Sequence, residues 1–175
     1  MPEREYYVWD KIGEEKEDWE IFFYFSESYR KAFLTLLQKE ERGIDAVYYD
    51  EDILPILMNF SQYLELVFKA LLIKANVPLD SLSQGSVGHS PKASLEKVKE
   101  NYADFELSPT SILFIEDFDW INQFGQSLRY PVSSQGQRFW LHNLEGRHFN
   151  LSGISTIGKQ VMGEINNYLK TKIFV

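Results

Sequence analysis

Three polar residues interrupt the most apolar stretch of this sequence: Gln62, Glu65 and Lys69 stand three and four positions apart inside the run from Ile53 to Ile73. On a helix that spacing aligns them as one polar stripe along an otherwise apolar cylinder. Glu65 and Lys69 are then at i,i+4, and one reading is an intrahelical ion pair, worth about 0.3–0.5 kcal/mol where such a pair is exposed. The other is a satisfied polar cluster in a crevice between helices, where the stripe meets His89 and Arg129, with Tyr130 beside it. Such a cluster could fix the fold or receive an anion. His89 lies in Gly88-His89-Ser90-Pro91, in which Ser90 as N-cap and Pro91 at the first helical position start a helix. The free N–H groups and positive dipole end at a helix start favour a negative ligand such as phosphate, and an imidazole titrates near neutral pH. The plainer role for His89 is to cap the turn or to bond a carboxylate such as Glu65. The planar fork of Arg129 suits a phosphate and equally a structural partner among Glu65, Asp117 and Asp119.

A second group is Arg138, Trp140 and His142 with Arg147 and His148, interleaved with Phe139 and Phe149. Aromatic faces beside cations offer stacking contacts to single-stranded RNA. Strand alternation, however, turns Phe139 and Leu141 to the side opposite Arg138, Trp140 and His142, so half of this set is ordinary core. The carboxylates of Glu116, Asp117 and Asp119 are of the type that binds Mg²⁺, but such a cluster on a helix reads as a solvated face. No metal and no cofactor are expected.

Composition narrows the chemistry further. The 175 residues contain no cysteine and three histidines, which excludes disulfides, thiolate catalysis and cysteine-based zinc sites. A formal charge of −8 is wrong for a protein that binds nucleic acid over a broad surface, so any phosphate contact must be local. The acidic start Met1-Pro2-Glu3-Arg4-Glu5 does not read as a secretory signal, and no apolar run reaches the roughly 18 uninterrupted residues of a membrane span. A cytoplasmic protein of one domain, residues 1–175, is expected.

The elements that position these residues are mainly helical. Apolar residues from Trp19 to Leu37 recur at three- and four-residue steps, predicting a helix from Asp18 to Arg42 that ends at Gly43. A second helix runs from about Asp50 or Glu51 to Asn76, apolar on nearly every side and therefore central. Pro78 to Gly88 reads as an exposed loop. Ser90-Pro91 starts a short helix through about Tyr102, and Ser108-Pro109 starts another through about Gln126, with Ile112, Leu113, Ile115 and Phe118 in its apolar set. The segments Arg138–His142 and Arg147–Leu151 flank Asn143-Leu144-Glu145-Gly146 and predict a small β-hairpin near 138–151. A last helix spans about Ser155 to Lys172.

With these elements in place, Tyr63-Leu64-Glu65-Leu66 followed by Lys69-Ala70-Leu71-Leu72 resembles a helix of the HEPN superfamily. Gly88-His89 with Leu95, and Leu128-Arg129-Tyr130-Pro131 with Gly136, are similar to later elements of the same group; together they cover roughly Trp19 to Gly136. The resemblance implies a helical bundle of about five helices, here with the hairpin added, usually a homodimer. It also implies RNA cleavage or nucleotide-associated roles in toxin–antitoxin and phage-defence systems. Active ribonucleases of the superfamily carry an arginine and a histidine with four to six residues between them on one helix. This chain departs from that pattern: three residues separate Arg138 from His142, Arg147 and His148 are adjacent, and no arginine closely precedes His89. The expectation is a module that binds a nucleotide, RNA or a partner protein without the usual ribonuclease motif. An atypical metal-independent endoribonuclease and a purely structural dimeric interaction protein are the contrasting readings.

Overall fold

The computed structural model describes residues 16–41, 49–83, 89–122 and 151–174. They form helices α1 (Asp18–Glu41), α2 (Tyr49–Lys74), α3 (Leu79–Ser83), α4 (Pro91–Asn101), α5 (Pro109–Asn122) and α6 (Leu151–Tyr168), the last continuing into a π-helical turn at Leu169–Ile173. No strand occurs among the described residues. The expected hairpin near 138–151 lies outside them except for Leu151, which opens α6 instead of ending a strand. The reason is periodicity: Leu151, Ile154, Gly158, Val161 and Ile165 continue one inward stripe at three- and four-residue steps.

Burial makes α2 the axis of the bundle. Ile56, Phe60, Tyr63, Leu64, Val67, Phe68 and Leu72 are all fully buried, and they cover about half of the helix circumference. Residues 53–74 are long and apolar enough to cross a membrane by composition, but 67% of that window is buried inside the protein, as a core helix requires. At its C-terminal end Asn76 takes φ 63°, the left-handed conformation that asparagine tolerates better than most residues. The N–H of Val77 then donates to the carbonyl of Leu72 and that of Asn76 to Ile73, closing the orphan carbonyls of the last turn.

Helix α1 runs antiparallel to α2. Lys74 lies 4.5 Å over the Trp19 ring at one end, and the Phe33 and Phe60 rings are 5.1 Å apart at the other. Helix α4 crosses a second side, where the Tyr102 hydroxyl donates to the Leu71 carbonyl at 3.0 Å. Two details depart from the sequence expectation. The loop after α2 carries the short α3, because Leu82 is apolar and reaches the core; Leu113, counted in the apolar set of α5, is 62% exposed, two positions from the buried Ser111 and Ile115.

Gly158 of α6 lets this packing close. A Cβ there would lie 2.8 Å from Cζ of Phe33, while one on Gly163, also in α6, would meet nothing within 4 Å. Alanine favours a helix interior over glycine by roughly 0.5–1 kcal/mol, whereas overfilling a tight core costs about 1–3 kcal/mol. Gly163→Ala should therefore stabilise the protein in urea unfolding and Gly158→Ala should destabilise it. Equal effects would show that Phe33 yields freely.

A carboxylate of α6 holds the start of α5. Glu164 accepts from the backbone N–H of Ser108 at 3.0 Å and from the side-chain amide of Gln160, while the Ser108 hydroxyl caps the N–H of Ser111. Burial pushes the Glu164 carboxyl up, but hydrogen bonds from Gln160, Ser108 and Ser111 outweigh it, and the net shift is downward. A depressed carboxyl stabilises the fold above its unfolded value, about 4.3, and that stability is lost as pH falls through the lower folded value. Wild-type protein should lose more stability than Glu164→Gln between about pH 5 and pH 3, measured by urea midpoints; parallel losses would remove Glu164 from the acid transition.

Candidate functional site

The stripe on α2 resolves into an ion pair with a histidine at its edge. Nζ of Lys69 donates to Oε1 of Glu65 at 2.8 Å, and the two side chains are 11% and 9% exposed. The second oxygen of Glu65, Oε2, lies 3.4 Å from Nδ1 of His89, whose side chain is 73% exposed. A buried carboxylate is thus held by one buried cation and one surface ring, with the ring supplied by the turn before α4. Gln62 lies one turn earlier, half-buried, and among the described residues no hydrogen bond joins it to the pair.

His89 comes to Glu65 because the start of α4 is tightly built. Ser90 adopts an extended N-cap conformation and accepts from the N–H of Ala93 at 3.0 Å, with Pro91 as the first helical residue. The same Ser90 hydroxyl donates to Oδ1 of Asp119 on α5, and the N–H of Lys92 reaches that oxygen at 3.3 Å. Lys92 Nζ pairs with Glu116 at 3.2 Å, which pushes the Lys92 ammonium up. These contacts decide the electrostatics. A helix start attracts an anion, and here the carboxylate of Asp119 already takes that position, so the orphan N–H groups are met from within the chain.

The acidic residues of α5 therefore divide their labour: Glu116 pairs with Lys92, Asp119 caps α4 and Asp117 is exposed. Among the described residues no group of three or more histidine, aspartate or glutamate side chains is placed to hold a metal ion. Of the residues singled out in the sequence, the structure brings together Glu65, Lys69 and His89. Arg129, Tyr130, Arg138, Trp140, His142, Arg147 and His148 lie outside the described residues.

Sequence reasoning missed a cleft on the opposite helix. It encloses about 360 Å³ along the first half of α1, lined by Lys16, Glu20, Phe23, Tyr24, Glu27 and Lys31, with Ser28 at its wall. Phe174, just beyond the π-helical turn, closes it from the far end of the chain, its ring 4.9 Å from Phe23 and 5.7 Å from Trp19. Tyr24 was the available signal, since it falls off the buried stripe that runs through Trp19, Ser26 and Phe33. The contribution of Phe174 had none, because nothing local links it to a helix more than a hundred residues earlier. Comparison of the chain with protein-family models, with curated proteins and with solved structures finds no match to any of them.

Proposed function

We propose that this chain is a HEPN-like helical module that binds nucleoside phosphates, free or within RNA, and does not cleave them. The observation that carries the reading is the commitment of Glu65: both its oxygens are engaged, by buried Lys69 and by His89. The described histidine thus leans on a structural carboxylate, whereas general acid–base work needs a base placed against a nucleophile. A net charge of −8 further restricts phosphate contact to a local site. The resemblance adds a homodimer and a role in defence systems, and the reading of the apolar runs adds a cytoplasmic location. A purely structural interaction protein is the second reading, favoured by the burial of the Glu65–Lys69 pair, since a sealed pair serves the fold alone.

The test is incubation of purified protein with labelled single-stranded RNA and tRNA, beside His89→Ala and His142→Ala variants. Intact substrate in every reaction, with retained mobility shifts, is the expected result. Cleavage abolished by either substitution would overturn the reading and locate a base; intact RNA with no binding of RNA or mononucleotide would leave the structural one.

A further inference from the structure

We infer that the cleft between α1 and Phe174 is the binding site, and that its ligand is a nucleoside phosphate. This inference rests on the binding function proposed above and gives it a place. At about 360 Å³ the cleft has the scale of a small-molecule site. A docked protein would need roughly 1,200 Å² of buried surface, far more than this recess offers.

Its charges are unequally committed. Glu27 is locked by Arg30, whose Nε and terminal nitrogen both donate to it, at 2.7–2.9 Å. Glu20 accepts from the backbone N–H of Glu17 through one oxygen, at 3.0 Å. The ammonium groups of Lys16 and Lys31 make no ion pair or hydrogen bond among the described residues, although the protein is strongly acidic overall. Among the described residues, then, no acceptor takes up either of the two ammonium groups of the cleft, point charges suited to phosphate. In the same lining Tyr24 and Phe174 are 46% and 47% exposed, and Phe23 is half-buried with its ring 4.9 Å from that of Phe174. Exposed aromatic faces stack on bases without regard to base identity. The remaining oxygen of Glu20 is an acceptor for a ribose hydroxyl or an exocyclic amine. An aromatic ring, a hydroxyl or amine donor and an anion occur together in a nucleotide.

The shared chemistry is met by a free mononucleotide or by one unit of an RNA strand, and the experiment separates them. Binding of AMP, adenosine, inorganic phosphate, benzoate and a five-residue oligoadenylate is measured by calorimetry on the full chain. The expected result is AMP binding at least tenfold tighter than adenosine, phosphate or benzoate. Tyr24→Ala and Lys31→Gln, both at exposed positions, should each weaken AMP about tenfold or more, and Lys97→Gln on α4 should leave it unchanged. Oligoadenylate binding tighter than AMP assigns the site to RNA; the reverse order assigns it to the mononucleotide. Benzoate binding as tight as AMP, or AMP affinity indifferent to Tyr24→Ala and Lys31→Gln, overturns the inference while leaving nucleotide binding to be sought elsewhere on the protein. Failure of AMP and oligoadenylate alike overturns both this inference and the function on which it rests.

Discussion

Glu65→Leu is expected to cost about 3–5 kcal/mol, a large share of the roughly 5–15 kcal/mol by which domains of this kind are stable. The cost comes from Lys69 more than from Glu65. With the carboxylate gone, an ammonium that is only 11% exposed loses the acceptor at 2.8 Å that makes its burial tolerable. The paired substitution Glu65→Leu with Lys69→Met should recover most of that loss, because two apolar side chains of similar volume are often as stable in a core as the ion pair they replace. His89→Ala, by contrast, removes an exposed ring 3.4 Å from the carboxylate and should change stability by less than about 0.5 kcal/mol. Urea unfolding of wild type and the three variants measures these differences. A loss under about 1 kcal/mol for Glu65→Leu would mean that water screens the pair, as it does surface salt bridges.

Phe60→Ala is expected to be comparably severe, at about 3–5 kcal/mol. Its ring is fully buried where four helices meet: Phe33 of α1 is 5.1 Å away, Phe114 and Phe118 of α5 are at 5.5 and 4.8 Å, and Gly158 of α6 lies against it. Truncation leaves a cavity bounded by rings, and aromatic side chains held at fixed spacing refill such a space poorly. Phe60→Leu keeps much of the volume and should cost roughly half as much or less. Thermal unfolding followed by circular dichroism gives the comparison. Equal midpoints for Phe60→Ala and wild type would show that α5 and α6 close over the gap, and the hub assigned to Phe60 would be wrong.

Periodicity made the helices legible. The continuous apolar character of residues 53–73 placed α2 at the centre, and the spacing of Glu65 and Lys69 placed them on one face, since both facts follow from 3.6 residues per turn. Helix starts at Pro91 and Pro109 were equally legible, because Ser-Pro satisfies the first turn without reference to anything distant. Short or shifted elements were not. The turn of helix at Leu79–Ser83 depends on Leu82 finding the core, and the exposure of Leu113 depends on how α5 is rotated against α2.

What the sequence determined by itself, then, is a mainly helical chain with a polar pair on one face of its central helix. Tertiary structure decided what that pair meets and where a ligand has room. It brought His89 to Glu65 across 24 residues, gave the anion position at the start of α4 to Asp119, and used Phe174 to close a cleft on α1. Local periodicity sets which way a side chain points from its own helix, but the partner it reaches is set by how helices far apart in sequence pack, and that depends on the volumes of every side chain between them.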